Sequence, residues 1–259
     1  QFAAPAHQCA EQVAMPVQKL APVMVGNLGG IVGHAAPGAE NPIVGSFPAD
    51  TRNIERGSMF VAVGSELWVE ARIPGGFTGW VRDVNLTEYI SPEQFVTDSR
   101  PIQRIEQLKQ AMNTSDGSLF ASLVSPKRGV TILYHGTWGS NPVIYTSESA
   151  RQAFTNPQII DWGMEGASGM NAVGTFVEKV QPKLQDVLNS PYELHPNAPN
   201  RAQMYVEPWP GGYQNLNYFA VLKPPTPGIE LDWRLWLAGF EYVNGVPYLV
   251  ALLHYVWEP

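Results

Sequence analysis

Cysteine is nearly absent from this chain: among 259 residues only Cys9 carries a thiol. A single cysteine excludes an intramolecular disulfide and any cysteine-built metal cage. Cys9 follows Ala6-His7-Gln8 rather than an apolar lipobox-like stretch. It reads as an incidental thiol in a tail, the rival being an intermolecular or lipid-anchoring role. Charge is scarce too, at 15% Asp, Glu, Lys and Arg where globular domains carry ~25%. The first 99 residues hold five basic and ten acidic side chains, and the rest hold eleven and thirteen. Neither part offers the basic surface that a phosphate backbone requires, which argues against nucleic acid. No Lys/Arg cluster suits an anionic membrane surface. The longest apolar run, Tyr248–Trp257, falls short of the ~20 residues needed to span a bilayer.

What is abundant points the other way. Hydrophobic residues make up 44%, enough for a core, and the chain carries 24 Gly, 23 Pro, 8 Trp, 10 Tyr and 10 Phe. That mixture predicts short strands, many turns and an extracytoplasmic, β-rich protein. A start at Gln1 with no apolar signal core is expected of a mature exported protein or a trimmed chain.

Residues 1–23, rich in Ala, Pro and Gln, read as a tail or tether. Residues 24–90 change to short β-like runs between turn residues, and residues 91–101 read as a linker. The remainder, 102–259, is expected to be an α+β domain. Ile102, Ile105, Leu108, Ala111 and Met112 recur at helical spacing, and Val180, Leu184, Val187 and Leu188 suggest a later helix with Pro182 in its first turn or kinking it. Ser147–Phe154 reads as a short capped helix, Val130–Tyr134 as a strand, and Met204–Glu207 and Leu216–Lys223 as two more. Asn244-Gly245 is a strong hairpin signal. A two-residue loop there pairs position i with 489 − i, which puts Trp233, Leu235, Leu237, Glu241, Tyr248, Val250, Leu252 and His254 on one face. Both faces are apolar, so the sheet must be covered on both sides by helices, by partner strands or by a second chain.

Four segments carry a resemblance: Gly30-Ile-Val-Gly-His-Ala-Ala-Pro-Gly38, Asn41-Pro42-Ile43-Val44-Gly45, Pro48-Ala49-Asp50-Thr51, and Gly79-Trp80-Val81-Arg82 through Leu86. Together they resemble the bacterial Src-homology-3-like domain. His34-Ala35-Ala36 replaces that family's Arg-Ser before the Pro-Gly turn, and Asp50 replaces its Gly before Thr51. The resemblance implies a small β-barrel over residues 24–89. The later segments Ser125-Pro126-Lys127-Arg128-Gly129-Val130, Asp232-Trp233-Arg234, Phe240-Glu241, Tyr248-Leu249-Val250, and His254 with Trp257 resemble an uncharacterised domain of bacterial exported proteins and lipoproteins. That implies helices packed on an antiparallel sheet and no particular activity.

The five histidines are scattered and no pair has ligand spacing for a zinc hydrolase. Gly166-Ala167-Ser168-Gly169 is off the nucleophile-elbow pattern, and Cys9 lies in the tail. Asp161, Glu165, Glu207 and Glu230 are raw material for a glycosidase, or else acids in solvated loops. Asp232 and His254 look like an acid–base pair, but the simple hairpin register sends them to opposite faces. His254 reads as a satisfied core histidine or as a polar anchor in a pocket with Trp233 and Tyr248. Trp138, Trp162, Trp209 and Tyr213 sit in Gly- or Pro-bearing loops and either bind carbohydrate or peptide or cap the sheet. In the first domain Trp68, Phe77 and Trp80 are either core or groove residues. No cofactor or metal is implied. The expected function is a non-catalytic binding protein that docks to peptidoglycan or an envelope protein. The alternatives are a wall-active hydrolase using carboxylates, or a structural subunit forming a homo-oligomer through the C-terminal sheet.

Overall fold

A computed structural model describes residues 19–24, 29–136, 141–165, 169–198 and 209–256. Trp138, Cys9, Trp257 and the strand expected at Met204–Glu207 lie outside these residues. The first half runs β1 Leu20–Pro22, β2 Gly30–His34, β3 Ile43–Pro48, β4 Glu55–Val63, β5 Glu66–Arg72, β6 Thr78–Arg82 and β7 Leu86–Glu88. Five of these strands pair antiparallel in the order β3-β2-β6-β5-β4, and β1 pairs with β7 as a separate ribbon. Their core is Leu20, Ile31, Phe47, Ile54, Val69, Ala71, Val81 and Leu86. Among the described residues the expected barrel is not closed: β3 and β4 remain edges. The tail reading stops short as well, since Leu20, Ala21 and Val23 are buried and Leu20–Pro22 is strand.

The linker proves to be helical. Ser91 begins α1, Pro92–Thr97, with a reciprocal capping box to Gln94, and α2, Arg100–Thr114, follows two residues later. Helix α2 buries Ile105, Leu108, Ala111 and Met112 but leaves Ile102 37% exposed. Next come α3 Gly117–Leu123, β8 Val130–Leu133, β9 Val143–Tyr145, α4 Ser147–Arg151, β10 Ile160–Met164 and β11 Asn171–Gly174. Helix α5, Phe176–Leu188, opens on a Thr175/Glu178 capping box, so Pro182 stands in its interior rather than its first turn. The chain ends with β12 Glu193–Pro196, β13 Asn217–Lys223, β14 Arg234–Val243 and β15 Val246–Val256.

The last strands join β8 and β9 in a six-stranded sheet ordered β12-β13-β14-β15-β8-β9. The sheet is mixed rather than antiparallel throughout, because β15 and β8 run parallel. The hairpin keeps the 489 − i register only from Val243↔Val246 to Phe240↔Leu249. Beyond it a bulge leaves Val250 unpaired, and Gly239 meets Ala251. An extra residue reverses the inside–outside sense of all that follows on that strand. Leu252 and His254 therefore join Trp236 and Phe240 on the helix-covered face, while Val250, Leu253 and Tyr255 join Leu235 and Leu237 on the other. That other face is covered by Val23, Trp209, Tyr213 and Leu216. Both faces are thus buried within one chain, as their composition required.

Candidate functional site

Parallel strands end together, and here β8 and β15 bring the Tyr134-His135 pair and His254 to the same end of the sheet. The His254 imidazole is 1% exposed and lies 4.7 Å from the Trp236 ring. Its Nδ1 bonds to the Tyr134 carbonyl oxygen at 3.0 Å, and its Nε2 finds no hydrogen-bond partner among the described residues. Burial pushes the imidazole pKa well below its ordinary value, and Lys183 nearby adds to this. The Tyr134 hydroxyl donates to the Glu165 carboxylate at 2.7 Å. Two lysines one helical turn apart on α5, Lys179 and Lys183, approach the same carboxylate at 3.8 and 4.0 Å. The Tyr134 hydrogen bond, helped by the lysines, holds Glu165 below the usual carboxylate range.

Trp162, which lies on β10 rather than in a loop, and Gly136 and Asn141 on either side of residues 137–140 are fastened near this end. The Gly136 N–H donates to the His254 carbonyl at 2.7 Å, and the Asn141 N–H to the Trp162 carbonyl at 3.1 Å; Trp138 itself lies outside the described residues. Trp162 is fully buried, and its indole N–H donates to the Gly174 carbonyl. The pocket expected around His254 does not form. Trp233 faces the opposite side of the sheet, and Tyr248 lies under the Arg104 guanidinium near the hairpin turn. After the bulge Asp232 no longer needs to oppose His254, yet its carboxylate is taken up by the Thr226 N–H and hydroxyl. Trp209 stacks on Tyr218 at 4.5 Å and covers Gly239, where a Cβ would lie 2.5 Å from the indole. Tyr213 is buried with its hydroxyl on Thr131. These two aromatics cap the sheet.

In the N-terminal sheet Trp68 is buried edge-on to His34 at 5.4 Å between ring centres. Phe77 packs on Phe47 and lies across the paired Gly33 and Gly45. Trp80 is half-buried on β6, opposite Glu70. Other apolar side chains of this sheet are exposed: Val32 on β2, Ile43 and Val44 on β3, and Met59, Phe60, Val61 and Leu67 on the β4–β5 hairpin, with Phe60 67% exposed.

The two sheets meet at a charged seam. Arg128, 4% exposed at its side chain, donates through Nε to Glu241, 1% exposed, at 2.7 Å. Its other nitrogens reach the carbonyls of Val84 and Leu86. The Ser125 hydroxyl donates to the second oxygen of Glu241. Lys127 bridges the Leu86 carbonyl and Asp83, and Glu88 accepts the N–H groups of Asn244 and Gly245 in the hairpin turn. A cleft of about 290 Å³ lies along this seam, lined in part by Arg56, Asp83, Glu88, Lys127 and Glu241. Each of these charged groups is already bonded within the chain, so the seam fastens the two halves together. One signal for it stood in the sequence: Glu241 between Phe240 and Tyr242 is a charge inside an apolar strand, and such a charge needs a buried partner. Lys179, Lys183 and Glu70 carried no such signal.

Among the described residues no three His, Cys, Asp or Glu side chains come together as a metal site, and no helix is long and apolar enough to cross a membrane. Comparison with protein-family models, curated proteins and solved structures returned no match for this chain.

Proposed function

We propose that this chain is an exported bacterial binding protein. In this reading its N-terminal sheet is a Src-homology-3-like module that docks to cell-wall peptide, glycan or an envelope protein, and its C-terminal α+β half is a ligand- or partner-binding companion. The observation that carries the reading is the set of exposed apolar side chains on the β4–β5 hairpin. Single exposed apolar side chains are ordinary. Phe60 and Leu67 stand on one face of the hairpin and Met59 and Val61 on the other, all 41–67% exposed, so both faces of this edge hairpin present apolar side chains of the kind that mark an interaction site. The scarcity of charge, together with abundant Gly, Pro and aromatic residues, supports an extracytoplasmic setting.

A second reading, a wall-active hydrolase, draws on Glu165 with Tyr134, Lys179 and Lys183. It needs a second carboxylate across a cleft. Asp161 is the nearest in sequence, and its oxygens hold the Gly163 N–H and the Asn171 amide. Co-sedimentation of the full chain with purified peptidoglycan separates the readings. Docking predicts pelleting, no released fragments, and loss of pelleting in Phe60→Asp. Release of soluble fragments would establish the hydrolase, and absence of both pelleting and release would refute both.

A further inference from the structure

Beside these apolar side chains, the edge of the N-terminal sheet holds a recess of different chemistry. Strand β4 pairs with β5 at Arg56↔Ala71 and next at Phe60↔Val69, so Gly57, Ser58 and Met59 together oppose Glu70. A bulge of this kind bends an edge strand and re-aims its side chains. The recess is about 310 Å³ and is walled by Arg56, Gly57, Ser58, Glu70 and Arg72. Gly57 forms part of its wall: a Cβ there would stand 2.4 Å from a Glu70 carboxylate oxygen. Only a residue without a side chain lets Glu70 lie against the edge strand.

The walls carry partly exposed groups of both signs whose hydrogen-bonding capacity is only partly used among the described residues. Glu70 is half-buried, and among the described residues its carboxylate meets no donor. Arg72 commits Nε and one terminal nitrogen to Glu55 at 2.7 and 2.6 Å, which leaves its other terminal nitrogen unengaged among the described residues. Arg56 commits one terminal nitrogen to Asp83 at 3.3 Å and keeps its remaining donors. The half-buried Trp80 is the cross-strand neighbour of Glu70 on the same face. A carboxylate beside an indole suits an ammonium, through an ion pair and the ring's electron-rich face. Guanidinium donors with a serine hydroxyl suit a carboxylate. The volume lies at the small end of ligand pockets, which begin at ~300 Å³, so the recess admits the head of an amino acid and not a whole peptide.

We propose that this recess binds the zwitterionic head of an amino acid, its ammonium against Glu70 and its carboxylate against Arg72 and Arg56. The inference rests on the docking reading for the source of that head. An uncrosslinked diamino acid of a wall peptide presents one at its side-chain end, and a free amino acid presents the same chemistry.

The test is calorimetric titration of the full chain with four probes. These are a synthetic stem tripeptide ending in diaminopimelate, the same peptide acetylated on the distal amine, the same peptide amidated on the distal carboxylate, and free alanine. Acetylation and amidation are each expected to weaken binding about tenfold or more, the usual cost of losing one charged hydrogen-bonded contact. Glu70→Gln should abolish the discrimination against the acetylated peptide, and Arg72→Gln the discrimination against the amide, with circular dichroism confirming that both variants fold. Equal binding of free and acetylated peptide, or unchanged discrimination in Glu70→Gln, would overturn the proposal. Alanine binding as tightly as the stem peptide would keep the recess and assign it to free amino acids. If the full chain pellets with peptidoglycan but binds none of the probes, the recess falls and the docking reading stands; failure of both removes both.

Discussion

Replacing Arg128 with Met removes the cation from the seam and leaves Glu241, 1% exposed at its side chain, with only the Ser125 hydroxyl as a donor. Breaking a buried pair by deleting one partner costs ~3–5 kcal/mol, because the surviving charge cannot regain its hydration. Here the cost should lie near ~3 kcal/mol: Ser125 stays, Lys127 still serves the Leu86 carbonyl, and the exposed Val84 can turn its carbonyl to water. Urea unfolding followed by tryptophan fluorescence reads this directly. With a slope of ~2–3 kcal/mol per molar, the midpoint should fall by ~1–1.5 M. The double variant Arg128→Met/Glu241→Leu removes both charges and should recover most of the loss, giving a coupling of ~2 kcal/mol or more. A midpoint shift under ~0.3 M, on the same slope, would refute the claim that this ion pair holds the seam, as would a double variant equal to the sum of its parts. A further readout is the shape of the curve. If the seam makes the two halves unfold together, Arg128→Met should split one transition into two.

Other consequences concern the cores. The pKa of His254 is depressed by burial, so below its ordinary value near ~6.5 the unfolded chain binds the proton and the folded chain resists it. Stability should therefore be intact at neutral pH and fall as the pH drops from there, with a flatter dependence in His254→Gln between pH ~7.5 and ~5.5; identical slopes in the two proteins would count against a buried neutral imidazole. Gly45→Ala should cost ~1–3 kcal/mol by overpacking, since its Cβ would come 2.9 Å from the Phe77 ring, and the cost should shrink sharply when Phe77 is also replaced by Ala. Thermal unfolding of the single and double variants checks this.

Local signals located most of the elements. The spacing of Ile105, Leu108, Ala111 and Met112 marked α2, because a helix repeats its buried face every three to four residues whatever surrounds it. Asn244-Gly245 marked the hairpin, because both positions need the positive φ they adopt, 52° and 74°. The linker was misread for a local reason that was visible but outweighed: Ser91-Pro92 and Ser99-Arg100-Pro101 are turn-like pairs, yet Ser at a helix start followed by Pro in the first turn is also how a helix begins. The sequence left the aromatic loops open between binding and capping because burial is a property of the neighbours. Trp162, Trp209 and Tyr213 carry the same residue type and turn context as binding aromatics, and only packing shows them covering cores.

By itself the sequence determined what each residue type obliges: apolar faces that had to be covered, a hairpin at residues 244–245, and a lone thiol that cannot pair within the chain. Tertiary structure decided what depends on contacts distant along the chain. One unpaired residue, Val250, sent His254 to the side of Trp236, since strand faces alternate with period two and a bulge shifts every later residue. Strand β8 inserted itself parallel to β15 from more than a hundred residues away. Arg128 met Glu241, and Glu70 was left between two arginines already committed elsewhere, because sheet order and the β4 bulge place them there, and neither is written in local spacing.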